Sequence, residues 1–174
     1  MEEDPEFLSQ VFLSLTNLAV LPDWHHHFLP LLPRLLHLVS LKTDTRAREG
    51  VKLQCLRLLV NLACNDENIP HLLAASCHQN FTLNLISRSK PEDQLLRCVT
   101  LLANLYMAAI RLGLQSQHYR EDSLHHAMFG EQSGQIVREV RWITENSNNM
   151  DIKSQSRKIL TCIEGIERDN ASCM

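Results

Sequence analysis

The sequence predicts an all-α protein, a short solenoid of about three helical repeats followed by a terminal helix. The stretch 51–64, VKLQCLRLLVNLAC, would be apolar nearly all round a helix except for one narrow polar stripe. Its asparagine recurs at Asn17, Asn61 and Asn104, each time before a leucine, at steps of 44 and 43 residues. Aromatic residues make up only 5% of the chain, and no sustained alternating run favours a sheet.

The recurring asparagine belongs to a longer repeat. Leu15, Leu59 and Leu102 each stand two residues before it, so neighbouring positions keep the same register. A period near 43 lies within the roughly 40–47 residues of armadillo and HEAT repeats. The spacing therefore predicts an armadillo-like solenoid in which 51–64 is a central helix packed on several sides.

Composition and charge exclude several classes of protein. The 174 residues suffice for one domain with a core, and the net charge of −3 gives no footprint of nucleic-acid binding. The acidic opening MEEDPE does not resemble a signal peptide, and no apolar run approaches the ~18 residues of a membrane span. Six cysteines without a CxxC pair predict reduced thiols, with Cys55, Cys98 and Cys162 inside helices.

Repeat one is expected to contain three helices. Pro5 opens a helix over FLSQVFLSLTNLAV, and Asp23 is placed to N-cap a short helix over WHHHFL. Pro30 and Pro33 stand at the start of a third helix, and residues 42–45 form a polar turn.

Repeat two is expected to span residues 45–88. Its central helix ends at Asn65, and Asp66 is placed to cap a second helix over ENIPHLLAA. Residues 76–80 turn the chain into a third element, FTLNLIS.

Repeat three begins with Pro91 at the first position of a helix that Gly113 ends. The polar stretch 114–122 then interrupts the repeat as an inserted loop. Ser123 is placed to cap a short helix over LHHAMF, and a further helix covers QIVREVRWI.

A last helix, MDIKSQSRKILTCIEGI, starts near Asn149. Its apolar positions predict a fourth packing layer: Ile152, Ile159, Leu160 and Ile163. We therefore expect one helical-repeat domain over 1–166 and a polar, fraying tail over 167–174.

Two motifs also resemble a known family. VKLQCLRLLVNLACNDENIPHLLAA resembles an armadillo repeat. HYREDSLHHAMFGEQS is similar to the C-terminal armadillo domain of the X-linked and related armadillo-repeat proteins of the mitochondrial outer membrane. The resemblance covers about residues 9–166. It implies a right-handed helical solenoid without enzymatic activity.

The same resemblance implies a role as an adaptor. Proteins of this group act in mitochondrial organisation and trafficking or in receptor-associated sorting, so it implies a cytoplasmic location at the mitochondrial outer surface. Several members carry an N-terminal membrane anchor and further repeats, which these 174 residues do not show. We interpret the sequence as a shortened form, or as a relative that reaches its site through a partner.

The candidate site is a ladder of polar residues that superposition of the repeats brings into register. The ladder has three rungs, one for each repeat. They are Gln10, Leu13 and Asn17, then Gln54, Arg57 and Asn61, then Arg97, Thr100 and Asn104. An amide donates and accepts at once, so a row of amides in a concave groove suits the backbone of an extended partner peptide. The alternative is that each asparagine bonds a neighbouring repeat or turn.

The ladder differs from that of nuclear-import receptors, which place a tryptophan one turn before the asparagine. This chain has Leu13, Arg57 and Thr100 there, which argues against recognition of a basic nuclear-localisation peptide.

Other motifs give weaker candidates. His25, His26 and His27 are adjacent and would point in different directions on a helix, and His118, His125 and His126 lack completing carboxylates or thiols. We therefore expect no metal site and no cofactor. The aromatic residues are interpreted as packing residues: Trp24, Tyr119, Phe129 and Trp142. No nucleophile elbow, phosphate loop or carboxylate pair predicts an enzyme.

Two functions follow. The first is an adaptor that binds a protein segment in the groove. The second is a structural module that assembles through exposed solenoid ends, as a homo-oligomer or part of a longer scaffold. The second hypothesis rests on an apolar patch expected on the first helix, which nothing precedes: Phe7, Leu8, Val11, Phe12 and Leu15.

Overall fold

The computed structural model describes residues 4–41 and 45–172. Most of the turn expected at 42–45, the first three residues of the opening MEEDPE and the last two of the tail lie outside the described residues. Within the described ranges the chain is helical and contains no strand, so the all-α prediction is confirmed.

Ten α-helices and three short 3₁₀ turns make up the described chain. The helices are α1 (Pro5–Leu18), α2 (His25–Phe28), α3 (Leu32–Ser40), α4 (Arg46–Leu62), α5 (Ile69–Ala74), α6 (Phe81–Leu85), α7 (Glu92–Arg111), α8 (Leu124–Phe129), α9 (Ser133–Asn146) and α10 (Met150–Ser172). The 3₁₀ turns are Pro22–Trp24, Leu29–Leu31 and Asp66–Asn68.

Helices α1, α4, α7 and α10 pack side by side in chain order and are called the row helices below. Helices α4 and α7 meet start to start and end to end. Glu49 accepts a hydrogen bond from Gln94 near the two starts, and Asp66 pairs with Arg111 near the two ends. Neighbouring row helices are therefore parallel. Both contacts join residues 45 positions apart, close to the repeat period of the sequence.

A second layer lies behind the row. Helix α3 packs on α4 and α6, α6 packs on α7 and α9, and α9 packs on α10. Each of the first three row helices is therefore followed by helices that return the chain along the outer layer to the start of the next row helix. This is the arrangement of a helical solenoid.

The centre of the core lies where the central stretch was expected. Along α4 the side chains of Leu56, Leu58, Leu59 and Leu62 are fully buried. Burial of four leucines removes a large apolar area from water, at about 25 cal/mol for each Å². The expectation that this helix is packed on several sides is confirmed.

One buried residue of α4 was not expected. Lys52 is buried, and its Nζ donates a hydrogen bond of 2.9 Å to the carbonyl oxygen of Leu41, just after α3. A cation there interacts favourably with the carboxyl end of the helix. Burial nevertheless lowers the pKa of Lys52, and the nearby Lys90 adds to that effect.

Several helix starts agree with the sequence. Asp4 caps α1 by accepting from the backbone N–H of Glu6 at 2.9 Å. Ser123 caps α8 by accepting from the N–H of His126, as predicted. Asn149 accepts from the N–H groups of two residues in the first turn of α10, so the last helix begins where it was expected.

Three helix starts were predicted wrongly. Asp23 does not cap α2, because it lies inside a 3₁₀ turn that runs directly into that helix. The cap before the next short helix is Asn65 rather than Asp66, since Asn65 accepts from the N–H of Glu67 at 3.1 Å. Pro91 stands one residue before α7 instead of at its first position.

The end of α7 has a defined backbone structure. Gly113 adopts a left-handed conformation with φ of 67°. Its N–H donates to Ile110 at 3.0 Å, and the N–H of Leu114 donates to Ala109 at 2.8 Å. This is the hydrogen-bond pattern of a Schellman motif, and the buried Leu114 supplies its apolar contact. The predicted stop at Gly113 is confirmed.

The inserted loop is tied to the rest of the fold. An isolated antiparallel bridge pairs Ser76, between α5 and α6, with Ser123 at the end of the loop. The N–H of Cys77 donates to Asp122, and the N–H of Leu124 donates to Ala75. The loop is therefore anchored to the preceding repeat.

The two ends of the solenoid differ from expectation. The patch predicted on α1 is reduced to Phe7, which is 65% exposed, because Phe12 is buried and Leu8 and Leu15 pack on the core along α4. At the other end, the backbone of α10 remains helical to Ser172, beyond the expected boundary at 166. No described helix is both long enough and apolar enough to cross a membrane.

Candidate functional site

The predicted ladder residues lie on adjacent row helices. Contacts with sequence separations of 38 to 45 residues connect α1 to α4 and α4 to α7, which places the equivalent rungs side by side. The surface formed by these residues is called the row face: Gln10, Leu13, Asn17, Gln54, Arg57, Asn61, Arg97, Thr100 and Asn104. Its α1 amides are exposed, and its α4 and α7 rungs are half-buried.

Asn61 joins two row helices. Its Nδ2 donates a hydrogen bond of 3.1 Å to the carbonyl oxygen of Thr16 on α1. In return, the hydroxyl of Thr16 lies within hydrogen-bond distance of the carbonyl oxygens of Phe12 and Gln54, at 2.7 and 3.3 Å. Thr16 and Asn61 thus connect α1 and α4 reciprocally. One donor of Asn61 serves the fold.

The other two asparagines are less engaged. Asn104 Nδ2 points to the sulfur of Cys64 at 3.6 Å, which is a weak acceptor. Asn17 is exposed and makes no side-chain hydrogen bond within the described part of the chain. The structural contribution of the ladder asparagine is therefore largest on α4, and the amides of Asn17 and Asn104 remain available to a ligand.

The charged and polar positions beside Asn61 are incompletely paired. Gln54 Oε1 and Arg57 Nε are inaccessible to water and have no hydrogen-bond partner among the described residues. On α7 the hydroxyl of Thr100 donates to Leu96 in its own helix at 2.7 Å, so it offers an outside ligand little more than an acceptor. Arg97 carries a charge without a carboxylate partner in the described ranges.

The three adjacent histidines are divided by the fold. His25 is buried and lies within hydrogen-bond distance of Ala19 through Nε2 (2.9 Å) and of Asn68 through Nδ1 (2.6 Å). Since the carbonyl of Ala19 can only accept, Nε2 carries the proton and Nδ1 accepts from the Asn68 amide. His26 and His27 are exposed, with ring centroids 3.8 Å apart. His25 therefore joins repeats one and two.

A side chain from the following turn or helix meets the carboxyl end of each of the first three row helices. His25 donates to Ala19 after α1, Asn68 to Leu62 at the end of α4, and His125 to Leu114 beyond α7. Such carbonyls have no partner inside their own helix. These contacts could not be predicted from the sequence, because the residue types differ between repeats.

His125 lies in an aromatic cluster. Its ring stacks on Tyr119 with a centroid distance of 4.4 Å and lies 4.9 Å from Phe129. Phe129 meets Tyr106 edge to face, and the buried hydroxyl of Tyr106 donates to Met128 at 2.8 Å. Burial lowers the pKa of His125, so the ring is held neutral at pH 7. Tyr119 and Phe129 pack as expected.

The two tryptophans differ from that expectation in their exposure. Trp24 is exposed on the surface before α2. Trp142 is 38% exposed and lies under the guanidinium of Arg88 at 4.4 Å, and Arg88 forms two hydrogen bonds with Glu139. Arg88 is thus engaged on both sides, which leaves the face of Trp142 covered.

The cysteines are protonated at neutral pH wherever they are buried. Burial raises the pKa of Cys55 to about 12 and that of Cys98 to about 11. The described cysteines are free thiols, and in the described ranges no group of three or more histidine, cysteine or acidic side chains is arranged to hold a metal ion.

A cavity of about 720 Å³ opens at the edge of the row face, between the starts of α1 and α4. Phe7, Gln10 and Arg46 are among the residues that line it. It offers room for an apolar side chain beside Phe7 and places a ladder residue at its rim.

Comparison with known proteins agrees with this architecture. A family model described as armadillo-like matches residues 9–129, more than half of the chain. No curated protein and no solved structure matches the chain. Families of armadillo-like repeats are generally non-enzymatic and bind proteins. The matched residues contain the whole ladder, from Gln10 to Asn104, and the chain belongs to the armadillo-like family.

Proposed function

We propose that this protein is a non-enzymatic adaptor whose row face binds an extended segment of a partner protein. The observation that carries the proposal is the alignment of polar side chains across α1, α4 and α7, with amides on every rung and spare hydrogen-bonding capacity at Asn17, Asn61 and Asn104. Membership of the armadillo-like family supports a protein-interaction role.

The geometry suits a chain that crosses the row. Packed helices lie about 8–10 Å apart, and an extended chain rises about 3.3 Å per residue, so each row helix meets every third residue or so. Asn61 keeps its amide oxygen and one N–H after bonding Thr16. An amide in that state can accept from one backbone N–H of the ligand and donate to a carbonyl.

The test is capture of partners by the immobilised full chain, followed by mass spectrometry. The variant is Asn17→Ala with Arg97→Ala, because neither side chain has a hydrogen bond or ion pair to lose within the described chain. The matched control is Gln135→Ala with Arg138→Ala on α9, in the outer layer. We expect the row-face variant to lose partners that the control retains. Equal capture by both variants contradicts the proposal.

We also propose that the adaptor acts at the cytoplasmic surface of mitochondria, in their organisation or trafficking. The support is the resemblance of HYREDSLHHAMFGEQS to the mitochondrial outer-membrane group, which includes a sperm-mitochondrion member. Fractionation of cells that express a tagged chain tests this. Recovery with mitochondria and release by external protease are expected, and recovery only in other fractions argues against it.

A second candidate function is assembly through the α1 end of the solenoid. Phe7 and Leu18 of α1, and Leu21 just after it, are exposed. Light scattering distinguishes the two functions, because assembly predicts a mass above that of one chain that falls in a Phe7→Ser variant. A monomer at all concentrations excludes this route.

A further inference from the structure

The row face continues onto α10, which the sequence ladder did not include. Asn149 at the start of α10 donates to Glu92 at the start of α7, a separation of 57 residues. A step of 57 residues from Arg97, Thr100 and Asn104 leads to a fourth rung on α10. Its three residues are all exposed: Ser154, Arg157 and Thr161.

Every charged side chain on these rungs is an arginine. Arg57, Arg97 and Arg157 stand on three successive row helices, and none of them has a carboxylate partner within the described part of the chain. The protein as a whole carries a net charge of −3, so this surface opposes the overall charge.

Several arginines elsewhere on the surface are paired with carboxylates. Arg88 pairs with Glu139, Arg120 with Asp122, and Arg141 with Glu164. Two acidic groups near the row face are already engaged, since Glu164 is held by Arg141 at 3.5 Å and Asp93 accepts from the N–H of Gln94. Three arginines without a carboxylate partner among the described residues therefore lie where a ligand would bind.

Arg57 gives a second reason for an anionic ligand. It is half-buried, and its Nε is inaccessible to solvent and has no acceptor among the described residues. Taking part of a charge out of water is unfavourable unless a group of opposite charge compensates. A carboxylate against the guanidinium would provide that compensation, with two parallel hydrogen bonds where the geometry allows.

We propose that the segment bound by the row face is acidic, with carboxylates at about every third residue. The proposal rests on the proposed function and names the chemistry of the partner. The spacing follows from helices about 8–10 Å apart and about 3.3 Å per extended residue. Carboxylates in that register meet Arg57, Arg97 and Arg157 in turn, while the amides hold the backbone.

The experiment measures fluorescence anisotropy of labelled twelve-residue peptides with the full chain at low ionic strength. The probe repeats the triplet Glu-Ser-Thr four times. One control replaces each Glu by Lys, and another gathers the four Glu residues at one end. We expect the probe to bind more tightly than both controls. Each of Arg57→Gln, Arg97→Gln and Arg157→Gln should weaken binding ~5-fold, as expected for an ion pair of about 1 kcal/mol.

The matched control variant is Arg138→Gln, which removes an unpaired arginine from α9 in the outer layer and should leave binding unchanged. Circular dichroism of each variant confirms that the fold is retained. Equal binding of the Lys and Glu peptides, or equal loss in Arg138→Gln, overturns the proposal. So does equally tight binding of a labelled twelve-residue oligothymidylate, which would make the face a general polyanion surface.

Failure here is distinguishable from failure of the proposed function. If the acidic probe does not bind while the Asn17→Ala, Arg97→Ala variant still loses captured partners, the row face binds protein segments of another chemistry. If partner capture is also unchanged in that variant, the adaptor function itself falls.

Discussion

At the scale of single residues, three side chains and the backbone of one glycine donate hydrogen bonds to carbonyl groups at the carboxyl ends of the first three row helices. The imidazole of His25 does this at α1, the amide of Asn68 at α4 and the imidazole of His125 at α7. Gly113 could be predicted from the sequence, because glycine after an apolar helix is a strong stop signal. The histidine and asparagine contacts could not, because each depends on a backbone carbonyl six or more residues away.

Gly113→Ala should destabilise the protein by about 1 kcal/mol, because a left-handed φ is unfavourable for any residue with a Cβ. Gly165→Ala is the matched control, since Gly165 lies inside α10 with open space around the position of a Cβ. Alanine there should stabilise the helix by ~0.5–1 kcal/mol. Urea unfolding measures both. Effects of the same sign would contradict this account of Gly113.

Acidification should weaken the fold through His125. Burial lowers its folded-state pKa below the ordinary value of 6.5 that applies to the unfolded chain, so the unfolded state binds more protons. The contribution of neutral His125 to the free energy of unfolding is complete above pH 6.5, the ordinary pKa of histidine, and declines as the pH falls below that value. His126 nearby acts in the same direction, whereas the carbonyls of Leu114 and Gln115 act against it.

Urea unfolding at pH 7.5 and pH 5.5 tests this expectation. The wild type should lose more free energy of unfolding on acidification than a His125→Asn variant measured in the same way. An identical loss in both proteins would show that His125 is not a source of the pH dependence.

At the scale of helices, contacts between α1 and α4 distinguish the two roles of the ladder asparagines. The row face contains one asparagine that bonds a neighbouring helix, one that faces a thiol and one that is exposed. Helix order, the repeat step and the rungs could be predicted from spacing. Two of the helix starts could not, because the 3₁₀ turns Pro22–Trp24 and Asp66–Asn68 run directly into the short helices that follow them.

Asn61→Ala should cost about 1 kcal/mol of unfolding free energy, the net value of a typical hydrogen bond. Asn104→Ala should cost less, and Asn17→Ala should have almost no effect. Thermal and urea unfolding of the three variants gives the order. Equal losses at all three positions would mean that Asn17 and Asn104 are as structural as Asn61, and would weaken the case for ligand binding.

At the scale of the whole molecule, the row has a well-packed centre and two different ends. Helix α7 packs against both α4 and α10 and contains ten buried residues, whereas α1 packs against α4 and contains two. The sequence predicted this centre, because residues 51–64 are apolar nearly all round a helix. It did not predict how completely α4 covers the apolar side of α1.

Hydrogen exchange in native conditions should therefore proceed from the α1 end inwards. Amides of α1 should exchange through openings of lower free energy than those of α7, since fewer buried contacts hold them. Mass spectrometry of exchanged peptides measures the two classes. Uniform protection across α1 and α7 would show that the solenoid opens only as one unit.

The bridge between Ser76 and Ser123 has a mechanical consequence. A solenoid under tension behaves as a spring whose joints yield one after another, and stiffness varies from joint to joint. Two backbone hydrogen bonds brace the α5–α6 turn against the inserted loop. A pull along the superhelix would therefore have to break these two bonds before the joint between repeats two and three could extend.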